Sequence, residues 1–226
     1  MDGFLKPFTP KKAAFGRHET FALRYGWLTK GFMALQVDPH VFNSDVATVT
    51  LGVGKNMVNA IRYWLRATQM IEATEDGWQA TELGLSIFAE EGWDPYLEDE
   101  ATLWLLHWML ATNSELATAW YWFFNCFHKI EFTNDEAGND LARFVQESLT
   151  GKHSERTVRN DINVLLKMYS QGRQGAKVEI EDILDAPLGS LKLITTSQYT
   201  HHFQCRNTAQ DNLPIAIVAF AVNEIF

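Results

Sequence analysis

Cysteine is scarce in this 226-residue chain, and Cys126 and Cys205 alone cannot build a disulfide framework. No signal-peptide pattern opens the sequence, so a cytoplasmic protein is expected. Membrane-length apolar runs are missing too. Residues 101–130 are interrupted by His107, Asn113, Ser114 and Glu115, and residues 213–226 are too few to span a bilayer. Both stretches are expected as buried helices, with no membrane partner.

Several chemistries are thinly represented. His201, His202 and Cys205 have no second Cys/His pair at zinc-site spacing, so a structural or incidental role is expected and bound zinc is not. Cys126 and His128 read as core residues of an aromatic helix. The string Gly52-Val53-Gly54-Lys55 hints at a phosphate loop, but Val49 stands where that loop needs a glycine. Asn56 replaces the Ser or Thr that would reach magnesium, so no nucleotide cofactor is expected and the glycines make a tight turn. The acidic run 90–100 reads as a solvated loop. No serine or cysteine nucleophile constellation is visible.

What is present is aromatic and unevenly charged. Eight Trp and fifteen Phe in a chain that is 46% hydrophobic and 21% charged imply helix-packing cores. The net charge of −9 is split along the chain. Residues 1–66 hold nine Lys/Arg against four Asp/Glu, residues 67–150 two against sixteen, and residues 151–226 eight against eight. Charge acts locally over a screening length of about 8–10 Å, so the first third suits a polyanion and the middle suits solvent or a basic partner.

The most informative segment is 51–66. Val58, Ile61 and Leu65 repeat at helical spacing as a core stripe, while Lys55, Asn59, Arg62 and Arg66 stack along another face with Asn56 beside them. Cationic and amide groups on a free helix face suit phosphates and base edges. Strands at 70–74 and 78–81 around a Glu75-Asp76-Gly77 turn, then a helix from Glu82, complete the pattern of a winged helix-turn-helix over 44–90.

Ahead of it, a helix is expected over 20–35, with Phe21, Leu23, Leu28, Phe32 and Leu35 inward, and a short helix near 43–49. The arm 1–12 is expected to be irregular, its Lys6, Lys11 and Lys12 facing DNA.

Downstream, residues 99–130 read as one broken or two consecutive helices. Thr133 and Glu136 match a capping box, and Ser154 can cap a helix to Ser170. On that helix Arg156, Asn160, Asn163 and Lys167, with Arg159 nearby, form a second polar stripe, which is either a further DNA-facing surface or a protein-interaction module. A flexible loop is expected over 172–176 and strands within 191–205. The fold class is therefore mainly α: a winged-helix domain over 1–92 and a helical domain over 93–226 with a second helix-turn-helix-like unit. The latter is expected to be cut short at its C-terminus, because the chain closes on an apolar run.

One polar cluster remains, Arg17-His18-Glu19-Thr20 with Arg24 and Tyr25. His18 and Glu19 are suited to acid–base work and Arg17 and Arg24 to holding a phosphate, while a helix start capped by Thr20 is the competing reading. The strings His18-Glu19-Thr20-Phe21, Arg24-Tyr25-Gly26-Trp27-Leu28 with Lys30, Leu51–Val58 and Ile61-Arg62-Tyr63-Trp64 resemble a bacterial family long catalogued as a domain of unknown function. Its members, the SspB-like proteins, accompany DNA phosphorothioation genes.

That resemblance implies a DNA-binding, DNA-nicking subunit of an anti-phage modification system. Its implied partners are DNA, a cysteine desulfurase, an ATPase and sulfur-transfer proteins. It carries DNA contact to Lys55, Asn56, Asn59, Arg62 and Arg66; Arg17, Arg24, Lys30, Arg156, Arg159, Asn163 and Lys167 complete the DNA-contact candidates as charged and polar side chains of the sequence itself. His18 and Glu19 are the catalytic candidates. A hydrolytic nickase would use Mg²⁺ or Mn²⁺, and spacing identifies no ligand set. A non-catalytic winged-helix regulator and an assembly scaffold are the rival expectations.

Overall fold

Helix placement in the first ninety residues follows from where the backbone cannot be helical. Glu19 and Thr20 lie in the left-handed region at φ 51° and 70°, so no helix starts there. The first helix, α1 (Trp27–Val37), begins only after the left-handed Gly26, seven residues later than the apolar spacing suggests. Its Leu28, Phe32 and Leu35 face inward as expected, and Leu23 is buried from outside the helix. A short 3₁₀ turn (Val41–Asn43) and α2 (Ala47–Leu51) follow. Gly52, left-handed at φ 61°, ends α2 by donating to Thr48 and Val49, and α3 (Lys55–Ala67) leaves from Gly54.

The computed structural model describes residues 3–170, 186–197, 202–206 and 210–225. The loop expected at 172–176 and His201 lie outside them. α3 buries Val58, Ile61 and Leu65, as the spacing predicts, and adds Tyr63 and Trp64. An antiparallel hairpin of β1 (Ile71–Thr74) and β2 (Gly77–Ala80) leads into α4 (Glu82–Phe88), capped by the Thr81 hydroxyl. The apolar stretch beyond forms two helices, α5 (Glu100–Ala111) and α6 (Thr118–Asn125). Because α6 ends at Asn125, Cys126 and His128 are exposed and not core residues.

β3 (Glu131–Thr133) precedes α7 (Asn134–Ser148), which starts on the expected reciprocal cap between Thr133 and Glu136. α8 (Glu155–Tyr169) packs along α7. Ser154 is its first flanking residue but makes no side-chain cap. β4 (Ile194–Thr196) and β5 (His202–Cys205) join β3 in an antiparallel sheet with β5 at its centre. The described residues are thus mainly helical with two small antiparallel sheets.

The last helix, α9 (Ile215–Ile225), corrects an expectation: none of its residues is fully buried, and Ile215, Val218, Val222 and Ile225 are exposed. It leans on the rest through Phe220, whose ring meets Phe4 and Trp108. An 11-residue apolar helix lying across a surface covers only one of its faces.

One contiguous core runs from Phe15 to Ile194. Hydrogen bonds cross the boundary near residue 92: Tyr63 donates to the Leu116 carbonyl (2.9 Å) and Asn113 to the Ala67 carbonyl (2.9 Å). The N-terminal arm is laid along the acidic middle. Its Lys12 pairs with Glu115 at 3.0 Å, and Ser114 donates to the carbonyls of Lys6 and Pro7.

Two close fits yield measurable consequences. A Cβ on Gly84 would stand 2.2 Å from the Met70 carbonyl oxygen and 2.7 Å from Phe32. Gly84→Ala should therefore cost about 1–3 kcal/mol in urea unfolding; an unchanged midpoint would show that α4 is free to lift. His107, whose Nδ1 lies 3.0 Å from the Tyr169 hydroxyl, has its pKa lowered by burial to about 4. Above the ordinary value of 6.5 the imidazole is neutral in both states and stability is full. As pH falls from there towards 4 the unfolded chain takes the proton first, so stability is lost. Between pH 7 and 4.5 the parent should lose about 2–3 kcal/mol more than His107→Asn. Equal losses would remove His107 from the account.

Candidate nucleic-acid interface

The face that carries the cations is built on a turn that faces both ways. Arg17 and His18 are neighbours, yet Arg17 is exposed while His18 has no exposed surface. The Thr20 backbone N–H donates to His18 Nδ1 (3.1 Å), so Nδ1 is an acceptor and the proton sits on Nε2. That N–H meets Asp161 Oδ1 at 3.1 Å, and the Gly16 N–H donates to both oxygens of the same carboxylate (2.9 and 3.2 Å). Burial raises the Asp161 carboxyl above its ordinary range, against the pull of these bonds to His18 and Gly16. The His18 ring stacks on Trp64 and meets Tyr63 and Trp120 edge-on. Burial, then the Asp161 charge, pushes the Tyr63 phenol well above its usual range.

The acid–base pair read from the sequence is therefore split. His18 points into the core and is held there by α3, α6 and α8. Glu19 lies at the surface, half-buried. Thr20 caps no helix.

Outside this turn the cations gather. Arg62 and Arg66, one turn apart on α3, both lie over the Trp78 indole of β2, with guanidinium carbons 5.6 and 5.0 Å from the ring centre. Arg62 also donates to Asn43 (3.1 Å) and Asn59 (3.5 Å). Burial first, then the charges of Arg62 and Arg17, lowers the Arg66 pKa from its ordinary value. Like charge is thus concentrated where Arg17, Arg62 and Arg66 meet, and among the described residues no carboxylate forms an ion pair with any of the three. Lys55 and Asn56 extend the same helix face into solvent. A cluster of this kind lowers its own repulsion by taking up an anion.

The other sequence candidates are dispersed. Lys30 is exposed on α1, and Arg24 lies over Trp27 at 5.6 Å. On α8, Arg159 is tied to Glu155 (2.7 Å) and to Asn139, and Asn163 to Asn134. Arg156 and Lys167 are exposed at opposite ends of that helix. Trp78 and Asn43 were not legible as site residues, because their contacts with the α3 arginines join elements apart in sequence. His202 pairs with Glu131 at 3.1 Å. Among the described residues no three of His, Cys, Asp and Glu converge on one point; a magnesium ion needs only one or two protein carboxylates, with water or phosphate completing its shell. No described helix is long and apolar enough to cross a membrane.

Comparison with known proteins agrees with this geometry in fold. A family model described as "Protein of unknown function (DUF4007)" matches residues 15–226. The crystal structure of magnesium ion-bound SspB is 32% identical, with a TM-score of 0.83 over 93% of this chain and 64% of that one. The SspB crystal structure is 33% identical, with a TM-score of 0.82 over 93% of this chain and 65% of the other. This chain thus spans just under two thirds of the SspB chains it matches. No curated protein matches it. Over nearly its whole described length it shares the SspB fold, and it belongs to the DUF4007 family.

Proposed function

We propose that this chain binds duplex DNA as a subunit of a phosphorothioate DNA-modification system with an anti-phage role. The observation that carries the reading is the pair Arg62 and Arg66 over Trp78, with the Arg17 charge added at Arg66 and no carboxylate among the described residues paired with any of the three. α1 to β2 would act as a winged helix-turn-helix, with α3 as the helix facing the groove and Trp78 on the wing. The indole holds two guanidinium planes, leaving their N–H edges for backbone phosphates. Lys55, Asn56 and Asn59 would make the outer contacts. The modification-system role rests on likeness to SspB.

DNA nicking is the finer reading, resting on that likeness alone. His18 serves it as a positioning residue: its bonds to Asp161 and Thr20 fix the turn that presents Arg17. Glu19 remains the acid–base candidate at the surface. The magnesium ion belongs to the SspB structure, and which side chains of this chain would hold one does not follow from its described residues.

Two experiments separate these levels. In DNA titrations across salt concentrations, Arg62→Ala and Arg66→Ala should each weaken binding and flatten the salt slope by about one phosphate. Trp78→Leu should weaken binding with the slope kept, since it removes the platform and no charge. Parent-like affinity and slope in all three variants would sink the assignment of this face. With supercoiled plasmid and Mg²⁺ or Mn²⁺, the nicking reading expects open circles from the parent and few from Glu19→Gln. Unconverted plasmid with DNA binding intact would leave a binding subunit whose chemistry lies elsewhere.

A further inference from the structure

Trp93 and Tyr96 are 77% and 66% exposed, the two most exposed aromatic rings among the described residues. The loop that carries them is tightly held. Its Gly92, Trp93 and Asp94 N–H groups donate to Ala89 (2.8 Å), Ser86 (2.8 Å) and Ile87 (3.2 Å) carbonyls at the end of α4. The buried Asp94 carboxylate accepts the Glu98 and Asp99 N–H groups at 2.8 and 3.0 Å. Thr29 of α1 donates to the Pro95 carbonyl, and Leu97 is buried. A Cβ on Gly92 would stand 2.3 Å from the Ile87 oxygen, so the backbone has little room to rearrange. Two large rings are thus held out in water by a backbone fixed at both ends. The ordering cost that a partner would otherwise have to meet is already met. Trp and Tyr are also the side chains that most often anchor interfaces.

The charge around the rings selects the partner. Glu90, Glu91, Glu98 and Asp99 flank them and are exposed, and no Lys or Arg occurs between residues 67 and 128. Nucleic acid is repelled there. A guanidinium satisfies both features, since it stacks on an aromatic face and pairs with carboxylates. We propose that the Trp93–Tyr96 loop is a docking site for a basic, arginine-bearing segment of a partner protein. It is distinct from the arginine face of α3 and does not depend on that face binding DNA.

The test uses the 226-residue chain and a fluorescein-labelled peptide of alternating Arg and Gly, read by anisotropy. Trp93→Ala/Tyr96→Ala leaves every carboxylate in place, so loss of binding in it separates docking from general attraction to an acidic protein. Binding should weaken about tenfold in this variant while the melting temperature holds, and return in Trp93→Phe/Tyr96→Phe. Glu90→Gln/Glu91→Gln should weaken it too, and a peptide with Glu in place of Arg should not bind. Peptide binding unaltered in the alanine variant, or absent from the parent, would overturn the proposal. So would a dT oligonucleotide, or a second copy of the chain, proving to be what the alanine variant no longer holds.

Discussion

The hydrogen bond between His18 and Asp161 is the constraint on which the described structure most depends. A buried carboxylate must be paired, because leaving it alone in an apolar interior would cost several kcal/mol. Here its partners are an imidazole N–H and the Gly16 amide, both from the same N-terminal turn. Satisfying Asp161 therefore draws residues 16–20 into the place where α3, α6 and α8 meet, and the aromatic rings of Tyr63, Trp64 and Trp120 close over the pair. The two left-handed residues that follow are tolerated because these contacts hold them. The same turn that buries His18 leaves Arg17 outside, beside the arginines of α3.

Charge is distributed with the same economy. The α3 arginines and Arg17 have no carboxylate partner among the described residues, and acidic groups flank the loop after α4. Salt bridges occur where cations meet the acidic middle and α8, at Lys12–Glu115, Lys129–Asp140 and Arg159–Glu155. The arginines over Trp78 have stacking and amide partners in place of carboxylates. An indole positions a guanidinium without cancelling its charge, whereas a carboxylate would position it and silence it.

Much of this was readable along the chain where local rules suffice. Period alone places Val58, Ile61 and Leu65 inward and Lys55, Arg62 and Arg66 outward, and Thr133 with Glu136 marks a helix start that forms as read. The hairpin between α3 and α4 follows from its Glu75-Asp76-Gly77 turn. What was not readable depends on partners far off in sequence. His18 looks like a polar surface residue until Asp161, 143 positions later, is seen to bury it. The stripe on α8 has the spacing of the one on α3, but Glu155, Asn139 and Asn134 occupy Arg159 and Asn163. α9 reads as core by composition, and only the neighbours it has can decide how much of it is covered. Trp78 carries no site signal of its own, since what it does depends on two side chains from another element.

The route of the N-terminal arm has a consequence for how the chain acquires its structure during synthesis. Residues 4–18 bond to Thr112, Thr118, Thr150, Asp161 and Glu224, so this segment finds its partners only after residues made later in translation. Contacts of such long sequence separation slow folding, because the loops they close must be ordered before the contacts can repay them. The helices around α3 can form early from local contacts, but the seat of His18 cannot close until α8 has been made. The arginine face would then reach its final shape only after translation of most of the chain. A nascent chain would therefore emerge with the turn that carries Arg17 not yet seated against α3.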